Sequence, residues 1–584
     1  MIAYHQNDKK IGWENLFIAG LLILTFLPFL GETLYSTKGE PREAIVALSM
    51  LNSGNWVLPI TFGAEIPYKP PMLAWCIALL GWLNGGEITE YLSRLPSALA
   101  TIMMIVVGFR MFARRVSVNM AVAMSLITAG FFELFRAGTI CRVDMLLTMF
   151  VVTALYAFYR QCQRNPEGTW KPSLVAALLM SGGVLTKGPV GMLLPCMVVF
   201  VFRLMRGNKL GQTMVSVGVS ALLSLILPAL WYIEAYRQGG EVFLRLVLEE
   251  NFGRFTGSMT YESHENPAWY NLLTLTYGCT PYTLLLLMSL FCIPWIRNKE
   301  NNKYNESCLG VKARLGKWWQ NLRNSDPIEL FSLLALVLIF VFYCIPKSKR
   351  SVYLLPVYPF VAYFIAKYAR FLLRRLPSLV KAYCWVIVTV GCVAAVVFFA
   401  GAFGFFSAIK SSSIAPVVAS LQNECFSFWP VTFGACTLIA GVCLMRVLCR
   451  NSAKVGFGWT MVYTLLIYWM VSCAILPSAT NYRSDKVIAN EIESMVPADA
   501  KIYAYRPDPM GALRYYMIGF YLGDRMHLFD VDFPTNGYLV IGEDDFKEFS
   551  TTKGANLQFN QVYISEKKSR ESRQPIMLLR FQNK

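Results

Sequence analysis

A chain of 584 residues that is 55% hydrophobic and only 15% charged carries more apolar surface than one water-soluble core could bury, which excludes an ordinary soluble enzyme. The net charge of +18 does not signal nucleic acid, because the basic residues lie scattered between apolar runs and carry no nucleic-acid motif. Cysteines stand mostly alone inside those runs, as Cys76, Cys196, Cys292, Cys392 and Cys443 do, so they act as small hydrophobes and no disulfide framework is expected.

The apolar runs are about 17 to 25 residues long, which matches a hydrocarbon core of about 30 Å. The first, Leu16 to Leu30, follows Lys9 and Lys10 and has no small-residue cleavage site before Glu32, so it reads as a retained anchor. It releases a polar loop, Gly31 to Pro70, that contains GEPREA and YKPP. The next run, 71–85, is short for a crossing and is followed by Glu87 and Glu90 with no basic cluster. It is expected to lie at the outer interface, which makes 31–95 one outer loop.

Alternate loops then carry the basic clusters: Arg114 and Arg115, Arg160 to Lys171, Arg203 to Lys209, Arg297 to Arg323, Lys367 to Lys381, and Arg446 to Lys454. Those loops fall inside by the excess of Lys and Arg on the cytoplasmic side. About thirteen crossings result, the last ending near Pro477. After Asn481 charges become frequent and short alternating segments appear, namely KIYAY, MHLFDV, GYLVIG and QVYISEK, with a helical pattern at Asp485 to Met495. The expectation is a polytopic α-helical membrane protein, with a membrane domain over 1–480 and a periplasmic α/β domain over 481–584.

Sorted by side, the charged residues at helix ends and in loops collect on the outer face: Glu40, Arg42, Glu43, Lys69, Asp144, Lys187, His264, Lys347 and Lys349. Cations there run against the positive-inside trend, so Lys187 and the KSKR turn need a reason to exist. A lipid-linked phosphate at the outer interface supplies one, since ammonium and guanidinium groups bind phosphoryl oxygens. Moving a sugar off a polyprenyl phosphate needs little more. Cations stabilise the departing phosphate, and a carboxylate takes the acceptor's proton or steadies an oxocarbenium-like centre.

The ordered motifs GEPREA, YKPP, RVDMLLT, LTKGPVG, NFGRF with SHENPAWY, and PKSKRSVYLLPVYP resemble those of the bacterial GT-C membrane glycosyltransferases, which include the lipid A aminoarabinose transferases and the related protein O-mannosyltransferases. The resemblance covers most of residues 10–370. It implies a GT-C fold and transfer, with inversion, from a polyprenyl (undecaprenyl) phosphate sugar to an acceptor such as lipid A, another envelope glycan or a protein. It also implies the bacterial inner membrane, with the active site facing the periplasm. An Asp-Glu pair followed by an Arg is typical of the first outer loop. Here Gly39 and Glu40 occupy the pair and Arg42 matches the Arg, leaving Glu40 as the candidate catalytic carboxylate with Glu43 as its rival.

Asp144 matches an acidic residue of the second outer loop that helps shape the site in the family, and it is a catalytic candidate expected to act with Glu40 on the acceptor and the reacting sugar. Lys187 matches the lysine of the TKG motif that looks like a phosphate ligand, and Arg254, Lys347, Lys349 and Tyr353 stand in the other donor-binding motifs. Lys69 is a candidate for substrate binding. Some members bind a divalent metal, a possible cofactor here. His264 matches one ligand, but Tyr68 replaces a Glu, and Glu65, Glu262 or Glu265 would have to substitute.

Plainer readings stand beside these. The acidic start GEPRE suits a solvated helix N-terminus, Asp144 a helix cap, Lys187 a snorkelling lysine, and the KSKR turn an anionic phospholipid site. A transporter or flippase for a lipid-linked or anionic solute is the rival function. It calls for charges buried mid-span and for repeated halves, and the sequence displays neither clearly. A receptor would want a cytoplasmic output domain, for which the inner loop Arg297 to Arg323 is too small.

Overall fold

The computed structural model describes residues 12–253, 265–292, 319–406, 415–424, 427–507 and 513–584. The membrane domain opens with α1 (Trp13–Phe26), α2 (Gly39–Ser53), α3 (Met72–Leu83), α4 (Glu90–Ala113), α5 (Val118–Ala129) and α6 (Phe132–Gly138). There follow α7 (Val143–Arg164), α8 (Leu174–Lys187), α9 (Val190–Met205), α10 (Leu210–Ser224) and α11 (Ile226–Leu248). Later helices include Pro327–Cys344, Tyr358–Arg375, Pro377–Ala402, Phe428–Arg450 and Ala453–Met470.

Among the described residues eight helices are long and apolar enough to cross a membrane, and up to 10 crossings result if two bent pairs each count as one. The sequence expectation of about thirteen is reached only if the short apolar helices α1, α8 and α9 also cross. Two of the apolar stretches are broken: Val118–Ala129 and Phe132–Gly138 meet at a bend of 68°, and Trp269–Gly278 and Tyr282–Leu290 at one of 110°. Helix α7 is the most enclosed span, with 83% of its apolar window buried, against 28% for Phe428–Arg450, whose apolar residues face outward.

Helix α3 does not carry the chain to the other side. Glu65, before it, accepts a hydrogen bond from the Tyr516 hydroxyl at 2.6 Å, and Glu90, after it, accepts one from Tyr521 at 2.8 Å. Both tyrosines belong to the C-terminal helix Tyr516–Tyr521. Twelve residues rising ~1.5 Å each would in any case fall short of a ~30 Å core.

In the C-terminal region five strands, β1 (Ile502–Ala504), β2 (Met526–Leu528), β3 (Asn536–Gly542), β4 (Leu557–Ile564) and β5 (Ile576–Asn583), form one sheet in the order β2-β1-β3-β5-β4. β1 pairs parallel with β2 and β3, while β5 runs antiparallel to β3 and β4. The sequence reading missed β5, because its Ile576 to Leu579 stretch is buried throughout and so lacks the alternation of a half-exposed strand. The segment MHLFDV is a strand only to Leu528, and Phe529–Asp532 then turns as a short helix.

This domain docks on the segment between α1 and α4. The Phe62 ring meets the Tyr516 ring edge-on at 5.8 Å, and Tyr35 packs on Phe520 at 5.1 Å. The Phe62 carbonyl accepts from the Leu528 amide at 3.0 Å, and Asn481 Oδ1 accepts from the Leu34 amide at 2.9 Å. The face that carries the acidic loop is therefore also the face that carries the C-terminal domain.

Candidate active site

Helix α2 begins within GEPRE, and its first turn presents two carboxylates to different surroundings. Glu40 faces the bundle. Its Oε1 accepts from Arg94 Nε at 2.8 Å and from the Cys141 amide at 3.0 Å, and its Oε2 accepts from Arg94 Nη2 at 3.3 Å. Arg94 in turn donates to the carbonyls of Leu30 and Thr33. The pair is nearly sealed, with side-chain exposures of 2% for Arg94 and 6% for Glu40. Both charges are thus bonded, and the pair ties the start of α2 to α4 and to the turn before α7.

Glu43, one turn on, is ion-paired with Lys69 and lies 3.5 Å from Arg42. These side chains keep 12%, 19% and 26% exposure respectively, so their charges face an accessible surface. Burial works to raise the Glu43 pKa, but Lys69, Arg42 and Arg142 outweigh it and hold the carboxyl below its usual range. Burial pulls the Lys69 ammonium down to about 8, against the opposing pull of Glu43. Arg42 also lies over the Tyr68 ring at 5.7 Å.

Position 39, where the family pattern has an acid, stands beside the end of the Arg142 side chain. A Cβ on Gly39 would stand 2.0 Å from Arg142 Nη2, so the guanidinium lies where a side chain at 39 would project and would have to swing aside for one. Arg142, between α6 and α7, acts electrostatically on both Glu43 and Asp144. Sequence reasoning missed it, although it lies within the RVDMLLT motif, because its neighbour Asp144 drew the attention.

Asp144, in the first turn of α7, is ion-paired with Lys187, the last residue of α8. Helices α8 and α9 form a tight hairpin in which Gly183 and Gly191 meet backbone to backbone, so closely that a Cβ on Gly191 would lie 2.3 Å from the Gly183 carbonyl carbon. Gly188, at φ +79°, makes the turn and leaves Lys187 at its tip. The Lys187 ammonium stands 4.3 Å from the centre of the Tyr353 ring, which packs against Tyr343 at 5.4 Å. Glu250, from the segment after α11, acts on both Arg42 and Lys69, and Gly188 packs closely on Asn251.

The structure therefore brings Arg42, Glu43, Lys69, Asp144, Lys187 and Tyr353 to one end of the bundle and adds Arg142. Glu40 is held aside by Arg94. Lys347 is exposed, whereas Lys349 is buried and its ammonium donates to the carbonyl of Pro346 in its own turn. That turn meets the segment after position 264: Glu265 bridges Ser348, and Asn266 donates to the carbonyls of Lys347 and Lys349 at 3.3 and 3.2 Å.

Arg254, Glu262 and His264 lie outside the described residues. Among the described residues no group of three or more His, Cys, Asp or Glu is placed to hold a metal. Glu65, one proposed substitute ligand, has one oxygen engaged by Tyr516.

Residues 68–232 match the family model described as dolichyl-phosphate-mannose-protein mannosyltransferase. An uncharacterized protein of Aquifex aeolicus is 25% identical over 493 residues, 83% of this chain and 81% of that protein. The undecaprenyl phosphate-alpha-4-amino-4-deoxy-L-arabinose arabinosyl transferase 1 of Pseudomonas fluorescens is 26% identical, over 54% of this chain and 52% of its own length. The corresponding transferase of Edwardsiella ictaluri is 26% identical over 62% of this chain and 60% of its own length. The matched region thus spans little more than half the length of these two transferases. In three dimensions the chain superposes on the crystal structure of ArnT from Cupriavidus metallidurans bound to undecaprenyl phosphate with a TM-score of 0.68 at 19% identity, over 96% of this chain and 97% of that one. In fold the chain is like this membrane glycosyltransferase, and over part of its sequence it is similar to the arabinosyl transferases and to the protein mannosyltransferase model.

Proposed function

We propose that this glycosyltransferase takes a sugar from a polyprenyl-phosphate donor and moves it to an acceptor of the cell envelope, at the periplasmic face of the bacterial inner membrane. The observation that carries the reading is the imbalance of charge at one end of the bundle. Arg42, Lys69, Arg142 and Lys187 stand there around the carboxylates of Glu43 and Asp144, with Glu250 also acting on Arg42 and Lys69, and the cations still outnumber the acids, a surplus that a phosphate would complete. The ArnT neighbour with undecaprenyl phosphate bound, and the names of the arabinosyl transferases, support the same donor class.

In this reading the bond between the sugar C1 and the phosphate oxygen breaks with its electron pair on the phosphate, where Arg42, Arg142 and Lys187 offset the charge. The acceptor oxygen attacks C1 from the opposite side. If the acceptor is a hydroxyl, Glu43 is placed to receive its proton. If it is a phosphate, as on lipid A, no base is required and the cations orient it instead. Asp144 holds Lys187 in position. The sheet domain, docked on the segment between α1 and α4, would cap the acceptor end.

The test is to incubate the purified protein in lipid nanodiscs with undecaprenyl-phosphate sugars, aminoarabinose and mannose among them, together with lipid A, and to measure released undecaprenyl phosphate. Acceptor-dependent release supports the proposal. Transfer of the intact lipid-linked sugar between leaflets of proteoliposomes without cleavage would favour the transporter reading and overturn this one.

A further inference from the structure

At the opposite end of the bundle from this cluster lies a cavity of about 830 Å³, between α1, α5 and the helices Tyr358–Arg375 and Ala453–Met470. The volume is within the usual range of about 300–1,000 Å³ for small-molecule sites. Its wall is mostly apolar, and it includes Trp13, Phe17 and Trp459, which are 69%, 46% and 58% exposed. Its rim carries Arg370, Arg374 and Lys454 against a single acid, Glu14. Among the described residues none of these three cations forms an ion pair.

Lys454 is misplaced by local electrostatics, because it stands in the first turn of its helix, where the backbone dipole already presents positive charge. The N-terminal turns of α1 and α5 also line the cavity. Three side-chain cations and three helix N-termini converge on this groove, with Glu14 the one acid among its lining residues.

We propose that this groove is a binding site for one anionic phospholipid, with its phosphodiester headgroup held by Arg370, Arg374 and Lys454 and its acyl chains leaving between Trp13 and Trp459. The apolar wall accounts for the chains, the rim for the phosphate, and the exposed Trp13 and Trp459 for access from the bilayer. The site shares no lining residue with the cluster around Lys187.

The experiment is native mass spectrometry of the full chain in detergent, titrated with phosphatidylglycerol or phosphatidylcholine of the same acyl chains. One phosphatidylglycerol per chain should bind at least 10-fold more tightly than phosphatidylcholine, and the triple variant R370Q/R374Q/K454Q should lose that preference. A photoactivatable phosphatidylglycerol should crosslink to residues 117–126, 366–374 and 454–462 in the unmodified protein, so the test stands even if the variant folds poorly. Equal binding of the two lipids, a preference retained by the triple variant, or crosslinks spread evenly over the lipid-facing helices would overturn the proposal. Displacement of the bound lipid by undecaprenyl phosphate would also overturn it, by showing a general lipid-phosphate site.

Discussion

Glu40 and Glu43 lie one turn apart on the same helix, yet their surroundings differ. Glu40 meets a single buried arginine whose remaining donors are spent on backbone carbonyls. Glu43 meets Lys69 and Arg42, both partly exposed, and feels Arg142 beyond them. The first arrangement is closed, with each charge bonded and no room for a ligand. The second is open and unbalanced, and its cations have too few carboxylates to satisfy them. In a membrane protein, charge that is sealed and fully paired anchors elements, while charge that is accessible and in surplus marks a place where an ion is expected.

The open side can be broken most severely at Lys187. Lys187→Gln removes a cation facing the donor phosphate and should lower kcat/KM per folded molecule by about 10²–10³-fold in the release assay; it also leaves the buried Asp144 without its counter-charge, so the unfolding temperature should fall as well. A smaller effect is expected from pH. Lys69 is held down to about 8, so it is charged below that value and loses its proton as pH rises through it. Donor KM should therefore be flat below about 8 and rise above it, and Lys69→Arg, whose guanidinium stays charged, should move that rise to higher pH. A KM that stays constant through pH 9 would separate Lys69 from donor binding.

The smallest effect belongs to the docked domain. Tyr516→Phe leaves Glu65 without its hydrogen bond, and the other oxygen of Glu65 is already buried without a partner. The change should weaken docking by about 1–3 kcal/mol. Faster proteolysis near residue 481 would report it.

Much of this was legible in the sequence. The short run at 71–85, the outward cations and the ordered motifs place Arg42, Lys69, Asp144 and Lys187 together although they come from four segments. What could not be read was which carboxylate of GEPRE points where, because Arg94, the partner that decides it, sits at the start of α4 and carries no motif of its own. Gly39 was visible only as a departure from the family pattern; that the Arg142 guanidinium lies where a side chain there would project is a tertiary fact. The broken helices were hidden for a related reason, since hydropathy records apolar length and not direction.

The contrast within α2 is tested most directly by comparing Glu40→Gln and Glu43→Gln for unfolding temperature and for donor cleavage per folded molecule. The account predicts that Glu40→Gln, which leaves the buried Arg94 without its counter-charge, loses about 3–5 kcal/mol of stability while its folded fraction cleaves donor normally. Glu43→Gln should unfold like the parent and, with a hydroxyl acceptor, cleave at least about 10²-fold more slowly. A Glu40→Gln protein that is stable but inactive, beside a Glu43→Gln protein that is fully active, would contradict it.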